Sequence, residues 1–120
     1  MPEATAGSVI PRMVVSDVAG AVAFLRDVFG ASGEVTDGRP AEVDLQGTTV
    51  MVSEAGERDL FPAFLYVYVD DADAAFGRAM TADARCIEDP VDTFYGDRRA
   101  MVADPFGNVF QIAHRREGRS

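Results

Sequence analysis

The sequence predicts an α+β fold of two βαβββ modules, which form a curved eight-stranded sheet around a cleft and carry their helices outside. Two observations predict this fold. Strand-type and helix-type patterns follow one another in the same order twice, and the two halves of the chain align with each other. The chain has 120 residues, 48% of them hydrophobic, which suits a single domain over residues 1–120. The first module takes residues 8–55 and the second residues 63–114, within a residue or two.

The first module opens with a stretch rich in β-branched residues, Val9–Ser16, which predicts a strand. Asp17 is placed to cap a helix over Val18–Phe29, because apolar residues recur there at helical spacing. Gly30 ends that helix, since glycine readily adopts the left-handed conformation. Turn residues then separate three predicted strands: Gly33–Thr36, Ala41–Leu45 and Thr48–Ser53.

The second module repeats this order. Ala63–Val69 predicts a strand, and Asp70 or Asp71 caps a helix over Ala72–Thr81. Capping and the helix dipole explain the carboxylates at this helix start, so they do not indicate a catalytic pair. Three further strands are predicted, over Arg85–Glu88, Arg99–Ala103 and Asn108–His114. A longer loop over Pro90–Asp97 separates the first two of these strands.

The internal repeat matches particular residues of the two modules. A shift of 52 residues aligns Arg12 with Phe64 in the first strands, and a shift of 60 aligns Met51 with Gln111 in the last strands. The longer loop of the second module absorbs the difference between the two shifts. These four residues are therefore expected at equivalent places in the two modules.

Composition excludes several kinds of function. The net charge is −9 and lysine is absent, which argues against nucleic-acid binding and excludes Schiff-base chemistry on lysine. No apolar run is long enough to span a membrane, and no leader pattern precedes the first strand. The single cysteine, Cys86, cannot form an internal disulfide, so we expect a reducing compartment and a cytoplasmic protein.

Three motifs in order give the chain a family resemblance: Asp27–Ala31 at the end of the first helix, Tyr66–Ala74, and Tyr95–Arg99 running into Asp104–Asn108. Over Val9–His114 the chain resembles the vicinal oxygen chelate superfamily, which includes glyoxalase I, bleomycin-resistance proteins and extradiol dioxygenases. Within it, the chain looks most like the PhnB-like branch. The resemblance implies the paired-module fold and a homodimer, and the unpaired sheet edges of such a chain favour self-association too.

The resemblance also bears on metal binding. Metal-dependent members take ligands from the first and fourth strands of each module, and the matching residues here are Arg12, Met51, Phe64 and Gln111. Arginine is always cationic, phenylalanine has no donor atom, and methionine sulfur suits only soft ions. Because only Gln111 can offer a ligand to a hard metal ion, the sequence predicts no metal and no other cofactor. Glyoxalase or dioxygenase chemistry is therefore disfavoured.

Strand alternation predicts the lining of the cleft. The inward positions are Arg12, Met51, Phe64, Tyr66, Tyr68 and Gln111, joined by Arg99 and Met101. Phe94 and Tyr95 precede the Gly96 turn, where they can form a lid. Such a lining favours a small, planar, aromatic ligand, with Arg12 as the anchor for a carboxylate. The alternative is that these side chains simply fill the cleft.

Three further residues have structural interpretations. Cys86 lies among apolar neighbours, which predicts a buried and inert thiol. His114 follows the last strand without a visible catalytic partner, which predicts a surface position. Arg98 is expected to pair with a nearby aspartate and fix the loop that carries Tyr95. Residues 115–120 are charged and predict a frayed end.

Three functions are consistent with this sequence. The favoured one is a metal-free binding protein that takes up an organic, aromatic ligand, for sequestration or resistance. The second is a metal-independent lyase, isomerase or cyclase, in which Arg12 and a tyrosine stabilise an enolate or a carboxylate. The third is an interaction module with a filled cleft. The sequence thus leaves enzymatic activity open and assigns no catalytic residue.

Overall fold

The computed structural model describes residues 7–56 and 59–116. These residues form two helices, α1 (Val18–Phe29) and α2 (Ala72–Thr81), and seven strands. The strands are β1 (Arg12–Val15), β2 (Ala41–Leu45), β3 (Thr48–Glu54), β4 (Phe64–Tyr68), β5 (Arg85–Asp92), β6 (Asp97–Ala103) and β7 (Val109–Arg115). The predicted α+β class is confirmed. Most of the predicted frayed end, residues 117–120, lies outside the described residues.

The strands form two sheets, where the sequence predicts one curved sheet of eight strands. The first sheet has the order β1-β3-β2, and the second has the order β4-β7-β6-β5. In each sheet the first strand of the module runs parallel to the last strand, and the remaining strands pair antiparallel. The two modules therefore share one topology, as the internal repeat predicts.

The predicted strand over Gly33–Thr36 does not form, which accounts for the missing eighth strand. Only Ser32 bridges to Asp44 on β2. Gly33 then passes so close to β2 that a Cβ atom on it would lie 2.7 Å from the carbonyl oxygen of Glu42. The chain crosses β2 at this point and moves away, so residues 34–40 are exposed and β2 is an edge of the first sheet.

Half of the predicted loop over Pro90–Asp97 is strand. β5 continues to Asp92 and β6 begins at Asp97, so the connection is a turn over residues 93–96. Register irregularities in β5 let it extend further than the sequence pattern predicts. The Thr93 hydroxyl donates to the Asp97 carbonyl oxygen at 2.9 Å and accepts from the Asp97 amide at 2.9 Å. These bonds close the hairpin and hold Tyr95 at its tip.

The helix boundaries agree with the predicted caps. The Asp17 carboxylate accepts from the Gly20 amide at 2.9 Å, and the Asp71 carboxylate accepts from the Ala74 amide at 3.1 Å. Gly30 ends α1 in the left-handed conformation, with φ of 70°. In the described part of the chain, neither helix is long and apolar enough to cross a membrane.

A common core joins the two modules. Phe110 on β7 is fully buried, and its ring packs against Phe24 and Phe29 of α1, at centroid distances of 5.7 and 5.4 Å. A helix of the first module thus covers a strand of the second. Because one face of each sheet lies under the helices, the opposite face is left for other contacts.

The Asp104–Asn108 turn forms a buried polar link between β4 and β7. The Asp104 carboxylate accepts from the backbone amides of Phe106 and Asn108 and from the Asn108 side chain, at 2.8 to 2.9 Å. The Asn108 side-chain oxygen accepts from the Ala63 amide at 2.8 Å. This network fixes the start of β4 against the start of β7, which sets the register of the second sheet.

Two helical glycines give a matched test of the packing between modules. A Cβ atom on Gly20 would lie 2.6 Å from the Phe106 ring and 2.7 Å from the capping carboxylate of Asp17, whereas a Cβ atom on Gly77 meets nothing within 4 Å. We predict that Gly77→Ala raises the free energy of unfolding by about 0.5–1 kcal/mol, because alanine favours the helix. Gly20→Ala is expected to lower it, since the ring or the cap must move. Urea unfolding measures both, and equal stabilisation by the two changes would contradict the Gly20–Phe106 contact.

Candidate functional site

The open face of the second sheet carries most of the residues predicted to bind a ligand. Tyr66 lies beside Gln111, and Gln111 lies beside Met101. In the next row, Tyr68 and Arg99 flank Ala113. Side chains two residues apart on a strand share a face, so Phe64 belongs to this surface as well. The predicted alternation on β4, β6 and β7 therefore holds in the structure.

Asp97 organises the tyrosines of this face. Its side chain is only 1% exposed, and its carboxylate accepts from the hydroxyl groups of Tyr66 at 2.7 Å and Tyr68 at 2.6 Å. The Arg115 guanidinium donates to the same carboxylate at 3.1 Å and also lies 5.4 Å from the centre of the Tyr68 ring. A buried carboxylate needs such donors, because leaving it unpaired is costly. The side chains of β4, β6 and β7 are thus tied together at one point.

Tyr95 joins this network from the hairpin tip. Its hydroxyl lies 3.1 Å from the Tyr66 hydroxyl and accepts from Arg99 at 2.9 Å. Arg99 also donates to Glu88 at 3.0 Å, while its buried Nε has no hydrogen-bond partner among the described residues. The Tyr66 proton is already donated to Asp97, so neutral Tyr95 donates to the Tyr66 oxygen. All three tyrosines of the chain therefore belong to one hydrogen-bonded group, which we call the tyrosine cluster: Tyr66, Tyr68 and Tyr95.

The electrostatics of the tyrosine cluster differ from one phenol to the next. Burial, together with hydrogen bonds to Tyr95 and Asp97, raises the pKa of Tyr66 far above its ordinary value. The hydrogen bond that Tyr66 can donate to the ionised Tyr95 oxygen, helped by the one from Arg99, lowers the pKa of Tyr95 although desolvation opposes this shift. Burial acts to raise the pKa of Asp97, but the hydrogen bonds from Tyr68, Tyr66 and Arg115 outweigh it and lower that pKa. Tyr95 consequently ionises more readily than Tyr66.

Arg12 and Met51 lie on the first sheet, side by side in the register of β1 and β3. The Arg12 Nε donates to the Ser53 hydroxyl at 2.9 Å, and the terminal nitrogens of Arg12 have no partner among the described residues. A cavity of about 450 Å³ opens beside Arg12, and residues of the first half line it, among them Asp17 and Arg39. The structure thus distributes the predicted ligand-binding residues over two open faces, one on each sheet.

Three polar residues of the second face were not expected from the sequence: Glu88, Asp97 and Arg115. Asp97 falls in a predicted loop and Arg115 in a predicted frayed end, but Arg115 is the last residue of β7. Extending the alternation of Gln111 and Ala113 by two residues would have placed Arg115 on this face. The alternation of Arg99 and Met101, extended back by two residues, would likewise have placed Asp97 on this face. Glu88 carries no such signal, because the irregular register of β5 decides where it points.

The four positions that correspond to metal ligands do not fit a metal ion. Arg12 is cationic, Phe64 has no donor atom and is 67% exposed, and Met51 offers a soft thioether, so Gln111 alone supplies an oxygen. The described residues contain no group of three or more His, Cys, Asp or Glu side chains able to hold a metal ion. The chemistry of the side chains at these positions therefore does not suit a metal centre.

Three other residues have structural interpretations. The His114 Nδ1 accepts from the Ala72 amide at 2.8 Å, so the imidazole caps α2 and is more than a surface side chain. Cys86 is half-buried, where the sequence predicts full burial, and desolvation and its contact with Asp89 raise the pKa of its thiol. A raised thiol pKa favours the unreactive form. Arg98 pairs with Asp73 at 3.2 Å and Asp92 at 3.3 Å, as expected for the residue that fixes this hairpin.

The fold and the two open faces agree with a known family. The model described as "Glyoxalase/Bleomycin resistance protein/Dioxygenase superfamily" matches residues 8–112, and the chain belongs to this superfamily. An uncharacterized protein from Mycobacterium tuberculosis is 34% identical, over 85% of this chain and 71% of that protein.

Solved structures show the same fold. TioX from Micromonospora sp. ML1 superposes with a TM-score of 0.76 and 26% identity, over 91% of this chain and 99% of that one. A lactoylglutathione lyase from Agrobacterium tumefaciens superposes with a TM-score of 0.69 and 17% identity, over 90% of this chain and 93% of that one. The resemblance inferred from the sequence motifs is thus confirmed at the level of the superfamily.

The Asp97 network predicts a specific loss of stability. Asp97→Asn keeps the shape but replaces charge-assisted hydrogen bonds with neutral ones, so we expect the free energy of unfolding to fall by about 2 kcal/mol. Asp92→Asn is the control, because Asp92 pairs at the surface and its loss should cost less than about 0.5 kcal/mol. Urea unfolding at neutral pH measures both.

The lowered pKa of Asp97 predicts that the stability difference between wild type and Asp97→Asn depends on pH. Because folding lowers the pKa of Asp97, its contribution to stability is complete above the ordinary carboxyl value of 3.8 and is lost as the pH falls through the lower folded value. The stability difference between wild type and Asp97→Asn should therefore shrink in acid. A difference that grows in acid would show that the carboxylate is not held in its charged form.

Proposed function

We propose that this protein binds a small organic, aromatic ligand without a metal ion, for sequestration or resistance, and that it belongs to the PhnB-like branch. The observation that carries the proposal is the exposed aromatic surface of the second sheet. Phe64, Tyr66 and Tyr68 are 67%, 37% and 45% exposed, yet the two tyrosines are held in place by Asp97. Rigid, exposed rings beside a cation are suited to stack on a planar ligand.

A filled cleft is less consistent with these features. The rings of β4 stay exposed instead of packing on one another, apart from the tilted contact between Tyr66 and Tyr68 at 5.3 Å. Phe94, at the hairpin tip, is 94% exposed and touches Tyr95 edge-on. The cavity beside Arg12 has a volume of about 450 Å³, which is within the range of small-molecule sites. These features support ligand binding over an interaction module with a filled interior.

Arg12 is proposed as the anchor for an acidic group of the ligand. Its terminal nitrogens face no carboxylate partner among the described residues, and Ser53 fixes only its Nε. A guanidinium held in this way can offer two donors to a carboxylate. We therefore expect the ligand to combine an aromatic ring with a carboxylate.

Native mass spectrometry of freshly purified protein tests the proposed function directly. We expect a fraction of the protein to carry an organic molecule, and no stoichiometric mass of Zn, Ni, Fe or Mn. Elemental analysis of protein purified without chelator checks the metal independently. One transition metal ion per chain, bound through the open faces, would refute the metal-free proposal. Protein that stays free of organic mass and binds no aromatic acid would refute the ligand proposal.

Arg12 provides a quantitative test with an added ligand such as phenylacetate. We expect Arg12→Ala to weaken binding by about 10- to 100-fold, since a charge-assisted hydrogen bond in a partly dry site contributes roughly 1.5–3 kcal/mol. Arg12→Lys should restore part of the affinity, because lysine keeps the charge and loses the fork. Arg26→Ala on the outer surface of α1 controls for the charge change. The fluorescence of the three tyrosines reports binding, because the chain has no tryptophan. Unchanged affinity with a lower melting temperature would assign Arg12 a structural role instead.

We also propose that the protein is a homodimer of the cytoplasm. Among residues 7–56 and 59–116, β4 pairs only with β7 and is an edge strand, and a groove of about 430 Å³ beside it is lined by Pro11, Leu65 and Tyr66, among others. The radius of gyration is 14.7 Å, against roughly 13.6 Å for a compact chain of this length. An elongated chain with an open edge and two open faces is suited to a second copy that covers them. The single cysteine, Cys86, supports the reducing compartment.

Sedimentation velocity tests the dimer. At low micromolar concentration we expect a species with about twice the mass of one chain, because obligate dimers of this kind bury a large apolar face. Dilution should not dissociate it within the micromolar range. A sharp monomer boundary at these concentrations would contradict the proposal.

A further inference from the structure

We propose that Tyr95 is a proton-transfer group, and that this face promotes keto–enol exchange of aromatic carbonyl compounds with an acidic C–H bond beside the carbonyl group. This activity goes beyond ligand binding but rests on the proposed function, because it uses the same face. The proposal follows from the position of Tyr95, which is held by hydrogen bonds with Arg99 and Tyr66 while the residue stays 48% exposed at the hairpin tip.

The surroundings of Tyr95 can stabilise a phenolate. Arg99 donates to the Tyr95 oxygen at 2.9 Å, and it is held in turn by Glu88 at 3.0 Å. The Tyr66 hydroxyl, 3.1 Å from the Tyr95 oxygen, is able to turn its proton toward that oxygen once Tyr95 has lost its own. Asp97 tolerates this change, because Tyr68 and Arg115 still donate to it. Tyr95 can therefore lose and regain a proton without rearrangement of the sheet.

The charges around Tyr95 support this assignment. Two groups contact the Tyr95 hydroxyl directly, Tyr66 on β4 and Arg99 on β6. Behind them lie their own partners, Asp97 with Arg115 of β7 next to Tyr66, and Glu88 of β5 next to Arg99. Of the two carboxylates, Glu88 is neutralised by Arg99 and Asp97 by Arg115. The hydrogen bonds from Tyr66 and Arg99 lower the pKa of Tyr95. A phenol with a lowered pKa is a better base at neutral pH than an ordinary tyrosine.

The proposed step is balanced as a proton exchange. The Tyr95 phenolate takes a proton from the carbon beside the ligand carbonyl, and the electrons of that C–H bond form a C=C bond. The carbonyl π electrons move to the oxygen, giving an enolate that takes a proton from water, and the hydroxide left behind takes the proton from Tyr95 and restores the phenolate. The reverse sequence returns a proton from Tyr95 to the carbon, and no oxidant or further reactant is needed. Arg99, Tyr66 and Asp97 act in this step as positioning residues.

Phenol titration tests the assignment without any ligand. The chain has three tyrosines and no other phenols, so the rise in phenolate absorbance with pH measures how many of the three have ionised. We expect one phenol to ionise below the ordinary tyrosine value of about 10, and Tyr95→Phe to remove that step. Arg99→Gln should move the step to higher pH. Arg85→Gln, which removes an exposed charge at the end of β5 away from the hairpin, should leave it in place. A first ionisation that survives in Tyr95→Phe would overturn the proposal.

Deuterium exchange tests the activity, with phenylpyruvate as the probe because it combines an aromatic ring, a carboxylate and an exchangeable methylene. Nuclear magnetic resonance in D₂O follows the loss of the methylene protons, with and without protein. We expect wild type to accelerate exchange over buffer and Tyr95→Phe to lose that acceleration about 100-fold. Arg85→Gln should keep it. Tyrosine fluorescence in the same samples measures binding of the probe. Binding without accelerated exchange would overturn the proton-transfer role and leave the binding function intact, whereas neither binding nor exchange would overturn both.

Discussion

The buried carboxylate of Asp97 is the interaction on which the aromatic face depends. It lies at the first position of β6 and accepts hydrogen bonds from β4 through Tyr66 and Tyr68, and from β7 through Arg115. Because an unpaired buried charge is costly, the hydrogen bonds to the carboxylate fix the positions of these side chains. Two of the three tyrosines are thereby fixed with their rings exposed, and Tyr66 in turn positions Tyr95. Rings that would otherwise sample several rotamers form an ordered surface.

The second constraint is the core that both modules share. Phe110 of the second module packs under two phenylalanines of α1, and Gly20 of α1 meets Phe106. Since interiors are packed as densely as organic crystals, helix α1 cannot move relative to β7 without opening space. The two sheets are therefore held at a fixed orientation although no strand pairing joins them within the described residues. Each sheet keeps one face for the core and one for other contacts.

Membership of the superfamily places this chain among proteins that share a scaffold but differ at the open faces. In this chain the positions that correspond to metal ligands are occupied by Arg12, Met51, Phe64 and Gln111, and the polar chemistry lies elsewhere, in the tyrosine cluster and its two arginines. A fold does not by itself define an activity, because function resides in the side chains at the site. The tyrosine cluster is therefore the feature on which the proposed function rests.

The sequence by itself determined the elements that local rules govern. Helical spacing and the capping residues Asp17 and Asp71 set the observed limits of both helices, and strand alternation placed Tyr66, Gln111 and Met101 on one face. The internal repeat correctly related the two modules. Local patterns suffice here because caps, turns and two-residue alternation depend on neighbours in the chain.

Only the tertiary structure decided which predicted strand fails to form, which polar side chains reach the tyrosine cluster, and how the predicted cleft is divided. Gly33–Thr36 has a strand-like pattern, yet the close approach of Gly33 to β2 leaves it without a partner. Glu88 reaches Arg99 because an irregular register in β5 places it opposite Met101, and Asp97 joins the tyrosines because β6 begins two residues earlier than the pattern predicts. The division of the predicted cleft between two sheets likewise depends on how α1 packs against β7. These outcomes rest on contacts between residues far apart in the chain, which no local pattern records.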